Sequence, residues 1–181
     1  MKRPESIYFS TFETPAGLFS VAVDFSGAVI AAAFGDERAL MRRVSGEHAV
    51  PDSEKTARAR TEIMNYFRSP RIGFSLNLAP RGTDFQKRVW AALRNIPSGQ
   101  TRSYGDIARE LRSSPRAVGQ ANGANPICLI VPCHRVVASD GSLGGFAFGV
   151  ATKRMLLEHE GATACYPSAR WIASTNAFSF E

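Results

Sequence analysis

The sequence predicts an α+β protein of two domains, on three observations. Short apolar or alternating segments separated by turn residues fill residues 6–34. Proline and glycine punctuate a change of texture at Ala79-Pro80-Arg81-Gly82. Beyond that break the apolar residues recur at helical rather than strand spacing. An α/β domain is therefore expected over residues 1–80, a mainly helical domain over 81–165 and an extension over 166–181.

In the first part, Ser6–Phe12, Leu18–Asp24 and Ala28–Phe34 read as strands of an antiparallel meander. Pro15-Ala16-Gly17 and Asp24-Phe25-Ser26-Gly27 supply the turns. Glu37–Val44 is a short basic helix. Asp52 or Ser53 is placed to cap a longer helix to Phe67, with Ile63, Tyr66 and Phe67 on its apolar face, and Ser69-Pro70 ends it. Phe74–Leu78 reads as a further strand. No residue of this part points to chemistry, and structural support is its expected role.

Thr83 opens the second part as a helix N-cap, with Gln86 three residues on completing a capping box. Phe85, Val89, Trp90 and Leu93 follow at helical spacing until Ile96-Pro97-Ser98-Gly99 stops the helix. Ser103 caps Tyr104–Leu111, whose apolar face is Ile107, Ala108 and Leu111. Ser114 caps a third helix, Pro115–Asn122. Two short helices joined by a tight polar turn are a helix-turn-helix signal, shared by many helical hairpins. Ala117, Gly119, Ala121, Gly123 and Ala124 give the second of these helices almost no bulk. Such a surface suits close packing on a neighbouring helix. It equally suits a nucleic-acid groove, with Arg116 at the helix start and Asn122 for polar contacts. Ser139-Asp140-Gly141-Ser142 is a turn, and Gly144-Gly145-Phe146-Ala147-Phe148-Gly149 is a glycine-rich loop lacking the GK[ST] of a P-loop. Thr152 caps a closing helix with Met155, Leu156 and Leu157 inward, and Gly161 terminates it.

A net charge of +6 permits a polyanionic partner. No apolar run has the length of a signal peptide or a bilayer span, so a cytoplasmic location without a membrane partner is expected. Cys128, Cys133 and Cys165 form no CxxC pair, and the histidines are scattered. Reduced thiols are expected, and neither a metal nor another cofactor.

The chemistry concentrates in Ile130-Val131-Pro132-Cys133-His134-Arg135-Val136-Val137. The apolar runs read as buried β structure, which Pro132 should interrupt just before the thiol because it cannot donate to a ladder. Adjacent strand residues face opposite ways, so Cys133 and His134 can act together only where the backbone turns. Taken alone, such a cysteine reads as a small packed hydrophobe.

The surroundings change that reading. PCHRVV follows an RAVG…NP helix and precedes a glycine loop and a K-x-x-LL-x-x-E helix. This series resembles the O6-alkylguanine-DNA alkyltransferases, also called methylated-DNA–protein-cysteine methyltransferases, over roughly Asp84 to Gly161. Residues 1–80 are similar to that family's amino-terminal domain in pattern only. The resemblance implies a ribonuclease-H-like α/β domain, then a helical, winged-helix-like domain with the helix-turn-helix. It implies direct-reversal repair: single-turnover, irreversible transfer of an alkyl group from guanine O6 in duplex DNA to Cys133, by a cofactor-free monomer. His134 is the implied base, acting through a bound water; Glu160 orients it, and Asn125 holds the turn. Tyr104 is implied to crowd the flanking phosphate and donate to the base, and Arg116 to fill the space left by the flipped nucleotide. The helix bearing Ala117, Gly119 and Asn122 would lie in the minor groove. Backbone groups near Cys133, Val136 and Ala147 would read the guanine.

Two departures from the family's pattern matter. Tyr104 and Arg116 are twelve residues apart, a shorter interval than is usual there. Phe148 stands where the family commonly has glycine, beside Phe146 where tyrosine is common. A phenyl group at Phe148 is expected to narrow the pocket or shield it from water, admitting methyl and ethyl lesions and disfavouring O6-benzylguanine. Cys128 is read as a packing residue. Three other classes compete. A helix-turn-helix regulator leaves PCHRVV without a reason, an alkylated-lesion recognition protein lacks the cysteine, and a Cys-His hydrolase usually has its histidine remote in sequence.

Overall fold

The computed structural model describes residues 6–44 and 48–162; Cys165 and the extension 166–181 lie outside the described residues. The opening meander forms as expected. β1 (Ser6–Thr14), β2 (Gly17–Val23) and β3 (Val29–Phe34) pair antiparallel, and Gly17 and Gly27 take the positive φ that their turns require. A strand not foreseen, β4 (His48–Pro51), adds parallel to β1 and gives the order β3-β2-β1-β4. Its four residues are too few to show an alternation.

Residues 74–78 do not form the expected strand. They touch β3 only at the Val29–Leu78 bridge, where Val29 N donates to Asn77 O and Ala79 N to Val29 O. The same edge of β3 receives residues 126–128: Ala32 N donates to Pro126 O and Cys128 N to Ala32 O, both at 2.9 Å. The open edge is thus closed by two short segments, the second leading to Cys133. The β structure expected around Ile130 is likewise reduced to bridges. Val131 N returns to Ile127 O, and Leu129 reverses the chain at φ +72°. That conformation costs a non-glycine residue about 1–2 kcal/mol. Leu129 is fully buried, and burial of a leucine side chain contributes roughly 2 kcal/mol in compensation.

The helices follow their caps. α1 (Glu37–Met41) is shorter than the expected basic helix and starts at Asp36, whose carboxylate accepts from Ala39 N. α2 (Ala57–Arg68) begins after the expected cap, because Asp52 instead closes a turn on Glu54 N and Lys55 N. α3 (Asp84–Arg94) carries the complete Thr83–Gln86 capping box. Ser103 caps α4 (Tyr104–Glu110), and Ser114 caps α5 (Pro115–Gly123). α6 (Val150–His159) starts at Gly149 rather than at Thr152, whose hydroxyl donates to Phe148 O. Gly161, at φ +67°, closes it. β5 (Arg102–Ser103) and β6 (Val136–Val137) pair in parallel.

One buried core crosses residue 80, with Phe19, Val21, Ile63 and Tyr66 on one side of the break and Trp90, Leu93, Val118, Leu129 and Leu156 on the other. Gly82 is required where the chain passes Trp90, since a Cβ there would lie 2.4 Å from the indole ring. The indole Nε1 donates to Ala121 O at 2.8 Å inside the core and fixes α5 on α3. Packing therefore explains one face of the small-residue helix, while Gly123 and Ala124 stay exposed. Trp90→Phe keeps a ring but leaves the Ala121 carbonyl buried and unpaired, a loss of about 2 kcal/mol. Thermal denaturation should show a melting temperature lower by roughly 4–8 °C; an unchanged value would deny the bond any net contribution.

Candidate active site

Pro132 ends the bridge-forming segment and caps a single 3₁₀ turn, Cys133–Arg135. This is the backbone turn that an adjacent cysteine and histidine need. It places Cys133 in a pocket wall and His134, fully buried, against Glu160.

Glu160 is the C-cap residue of α6 and organises the region behind the pocket. Its Oε1 accepts from His134 Nε2 at 2.8 Å, Tyr66 Oη at 2.8 Å and Arg135 Nη2 at 2.9 Å. Its Oε2 accepts from Arg135 Nε at 2.9 Å and Gly99 N at 3.3 Å. The remaining arm of Arg135, Nη1, donates to Ile96 O at 2.6 Å. Burial alone would raise the Glu160 carboxyl, but the hydrogen bonds and charge facing it hold it at about 2. An ionised acceptor fixes the His134 tautomer, with the proton on Nε2 and the lone pair on Nδ1. Nδ1 has no hydrogen-bond partner among the described residues. Burial, against the pull of Glu160, lowers the imidazole pKa and keeps the ring neutral. The charge opposing Glu160 is then that of Arg135, and His134 is left as a base with an uncommitted lone pair.

Asn125 staples the turn before the thiol. Its Nδ2 donates to Val131 O at 2.9 Å and its Oδ1 accepts from Ile127 N at 3.0 Å. The Cys133 thiol is lowered by a hydrogen bond from Cys128, opposed by burial, and further lowered by Asn125 and the charges of Lys153 and Arg43. Cys128 is raised, by burial first and then by Cys133, so it is the weaker acid of the two thiols. Lys153 is fully buried and donates from Nζ to Val136 O at 2.6 Å and to Leu143 O. Burial pushes it down to about 8, with Cys133 pulling the other way.

The pocket has a volume of about 290 Å³ and includes Arg43, Tyr104, Asn122, Cys133, Phe146 and Phe148 in its lining. Arg43 reaches it from beyond α1, donating to Gly123 O at 3.2 Å and lying 5.0 Å over the Phe148 ring. Phe148 also packs edge-on against Phe34 of β3 at 5.6 Å and Phe146 at 5.7 Å. Tyr104 is raised by burial and by Cys133, so its hydroxyl keeps its proton.

A family model for the DNA-binding domain of 6-O-methylguanine DNA methyltransferase matches residues 84–162. A methylated-DNA–protein-cysteine methyltransferase of Methanosarcina acetivorans is 40% identical over 167 residues, 86% of this chain and 99% of the relative. The chain belongs to the methylated-DNA–protein-cysteine methyltransferase family. A family member from Mycobacterium bovis is 41% identical over 162 residues, 87% of this chain and 94% of its own. Crystalline Mycobacterium tuberculosis OGT in complex with DNA superposes with a TM-score of 0.75 at 37% identity, covering 86% of this chain and 93% of that one. The O6-methylguanine-DNA methyltransferase of Pyrococcus kodakaraensis gives 0.62 at 32%, covering 86% and 99%. The α+β class is common to them, and coverage of this extent takes in the first part of the chain as well as the motif-bearing second.

Within this family member, Cys133, Tyr104, Gly119, Asn122, Asn125, Ala147 and Phe148 share the pocket lining, and His134 and Glu160 lie behind it. Asn122 is buried rather than presented on an outer face: its Nδ2 reaches Cys133 O at 3.5 Å and its Oδ1 has no protein partner. Arg116 is exposed in the first turn of α5, with Ala117 half-buried beside it. Val136 is off the pocket wall, fully buried, paired with Arg102 and bonded to Lys153 through its carbonyl. Four participants escaped the sequence reading. Arg135 and Lys153 stood inside recognised motifs without a role. Tyr66 was hidden in an apolar helical period and Arg43 among the charges of a basic helix. The last two correct the expectation that residues 1–80 only support.

Glu160→Gln removes the charge opposite buried Arg135 and is expected to destabilise the fold by about 3–5 kcal/mol. The wild-type protein should lose stability in acid in two steps. The folded His134 value lies below its unfolded value of about 6.5, so stability falls as the pH drops below that point. Glu160, at about 2 folded against about 4.3 unfolded, contributes fully above the unfolded value and loses that contribution as the pH approaches 2. Urea titrations from pH 8 to pH 3 check both steps, and the lower one should be flattened in Glu160→Gln.

Proposed function

We propose that this chain repairs O6-alkylguanine in duplex DNA by moving the alkyl group onto Cys133, once per molecule and irreversibly. The observation that carries the reading is a cysteine in the pocket wall next in the chain to a buried imidazole whose Nε2 is anchored on Glu160. The cysteine lines the pocket and the imidazole lies behind it, in a member of this family. Sγ attacks the saturated carbon on O6; the C–S bond forms as the C–O bond breaks, and the electron pair leaves on guanine. The thiol proton passes through a water to His134 Nδ1. Tyr104, its hydroxyl protonated, donates to the departing base. The thioether that remains offers no leaving group for a second cycle, so the protein is consumed.

A guanine inside a duplex reaches the pocket only after rotation out of the stack, at a cost of a few kcal/mol. In this reading Arg116 fills the vacated place, α5 lies along the minor groove with Ala117 and Gly119 towards it, and backbone near Cys133 and Ala147 reads the guanine edge. The net charge of +6 suits the phosphate backbone. In this reading the chain acts as a cytoplasmic monomer. It divides near residue 80 into a ribonuclease-H-like domain and a winged-helix-like domain carrying the DNA contacts. Phe148, packed on Phe34 and Phe146 and covered by Arg43, bounds the space for the alkyl group.

Duplex carrying radiolabelled O6-methylguanine should fix one label per protein, and none in Cys133→Ala. Repeated turnover, or no labelling of the wild type, overturns the reading. O6-Benzylguanine should inactivate the wild type slowly and Phe148→Gly roughly tenfold faster or more; equal rates would deny Phe148 a part in selectivity.

A further inference from the structure

Alkyl transfer leaves one reactive group unexplained. Cys128 is a second free thiol, fully buried in the same core cluster as Cys133, and its side chain faces that of Cys133. The backbone brings the two together. Cys128 bridges to Val131, Val131 N returns to Ile127 O, and Cys133 N returns to Val131 O, with Leu129 making the reversal. The two thiols are chemically unequal. Cys133 lines the pocket and is the stronger acid, whereas Cys128 is buried outside the lining and holds its proton more tightly. A small oxidant entering the pocket therefore meets Cys133 first, the thiol that ionises more readily.

We propose that Cys128 is a resolving thiol that forms a reversible disulfide with Cys133 and so protects the single-use nucleophile from irreversible oxidation. The proposal rests on the reading of Cys133 as the reactive thiol. In the first step the Cys133 thiolate attacks one oxygen of hydrogen peroxide. The S–O bond forms, the O–O bond breaks, and the departing hydroxide takes a proton to become water. In the second step the Cys128 sulfur attacks the sulfur of the Cys133 sulfenic acid. The S–S bond forms and the sulfenic hydroxyl leaves as water with the Cys128 proton. Two thiols are oxidised by two electrons in all, and one peroxide is reduced to two waters. The Arg43 charge lowers both thiols and so favours thiolate character on Cys128 as it attacks.

The sulfurs must close to about 2.05 Å, a movement that the short reversal between residues 128 and 133 has to accommodate. Without a resolving thiol the sulfenic acid proceeds to sulfinic acid, which ordinary thiol reductants do not reverse. With it, the nucleophile is stored as a disulfide and returned by reduction.

The test treats the reduced full-length protein with a small excess of hydrogen peroxide, blocks the remaining thiols and reads the product by peptide mass spectrometry. The wild type should lose about 2 Da as one disulfide forms, yield a Cys128–Cys133 linked peptide, and regain its full one-label capacity after dithiothreitol. Cys128→Ser, checked for folding by thermal denaturation and compared with its own capacity before oxidation, should accumulate sulfinic acid on Cys133. It should recover less than a tenth of that capacity on reduction. Cys165→Ser should behave as the wild type. Sulfinic acid on wild-type Cys133 without the linkage, a linkage to Cys165 instead, or full recovery of Cys128→Ser would each overturn the proposal. The linkage is read by mass, so failure of untreated wild type to take up label would sink the repair reading while leaving the disulfide result intact.

Discussion

A single buried carboxylate sets the terms for the rest of the site. An ion the size of Glu160 carries a penalty of several kcal/mol when taken out of water unpaired. Five hydrogen bonds and one guanidinium answer that penalty. The donors arrive from three places: α2 sends Tyr66, the loop after α3 sends Gly99, and the 3₁₀ turn sends His134 and Arg135. Holding Glu160 ionised therefore holds four segments in register. It also decides the chemistry, because a carboxylate on Nε2 leaves Nδ1 as the only basic nitrogen of the ring. Arg135 answers the charge, so His134 can stay neutral.

The second constraint is the free edge of β3. A sheet edge presents unpaired backbone groups that must be covered, and here the cover is the segment that leads to the nucleophile. Ala32 exchanges both of its backbone hydrogen bonds with residues 126 and 128. Asn125 and Leu129 then turn the chain so that Pro132 can start the 3₁₀ turn. Strand, turn and thiol form one mechanical series, and the positive φ of Leu129 is part of its geometry.

Much of this was legible in advance, and what was not has physical reasons. The capping residues Thr83, Ser103 and Ser114 announced α3, α4 and α5, because an N-cap is a local interaction written within four residues. PCHRVV with its flanking motifs announced the thiol, the imidazole and Glu160. β4 was not legible, since it takes its place from β1 rather than from its own pattern. Residues 74–78 and 127–131 have strand composition yet form only bridges, because β propensity reports a half-buried environment rather than a ladder. Tyr66 and Arg43 were invisible as site residues. Their partners lie ninety-four and about eighty positions away, and no periodicity encodes such a distance.

The closure of the β3 edge has a consequence for how the molecule opens. Amide protons at Ala32 and Cys128 are held by each other's strands, so neither can exchange unless both segments separate. The pocket turn and the meander then belong to one cooperative unit, with a common free energy of opening, although the chain changes texture between them. The seam at residue 80 divides two styles of sequence, and the unit that protects the thiol runs straight across it.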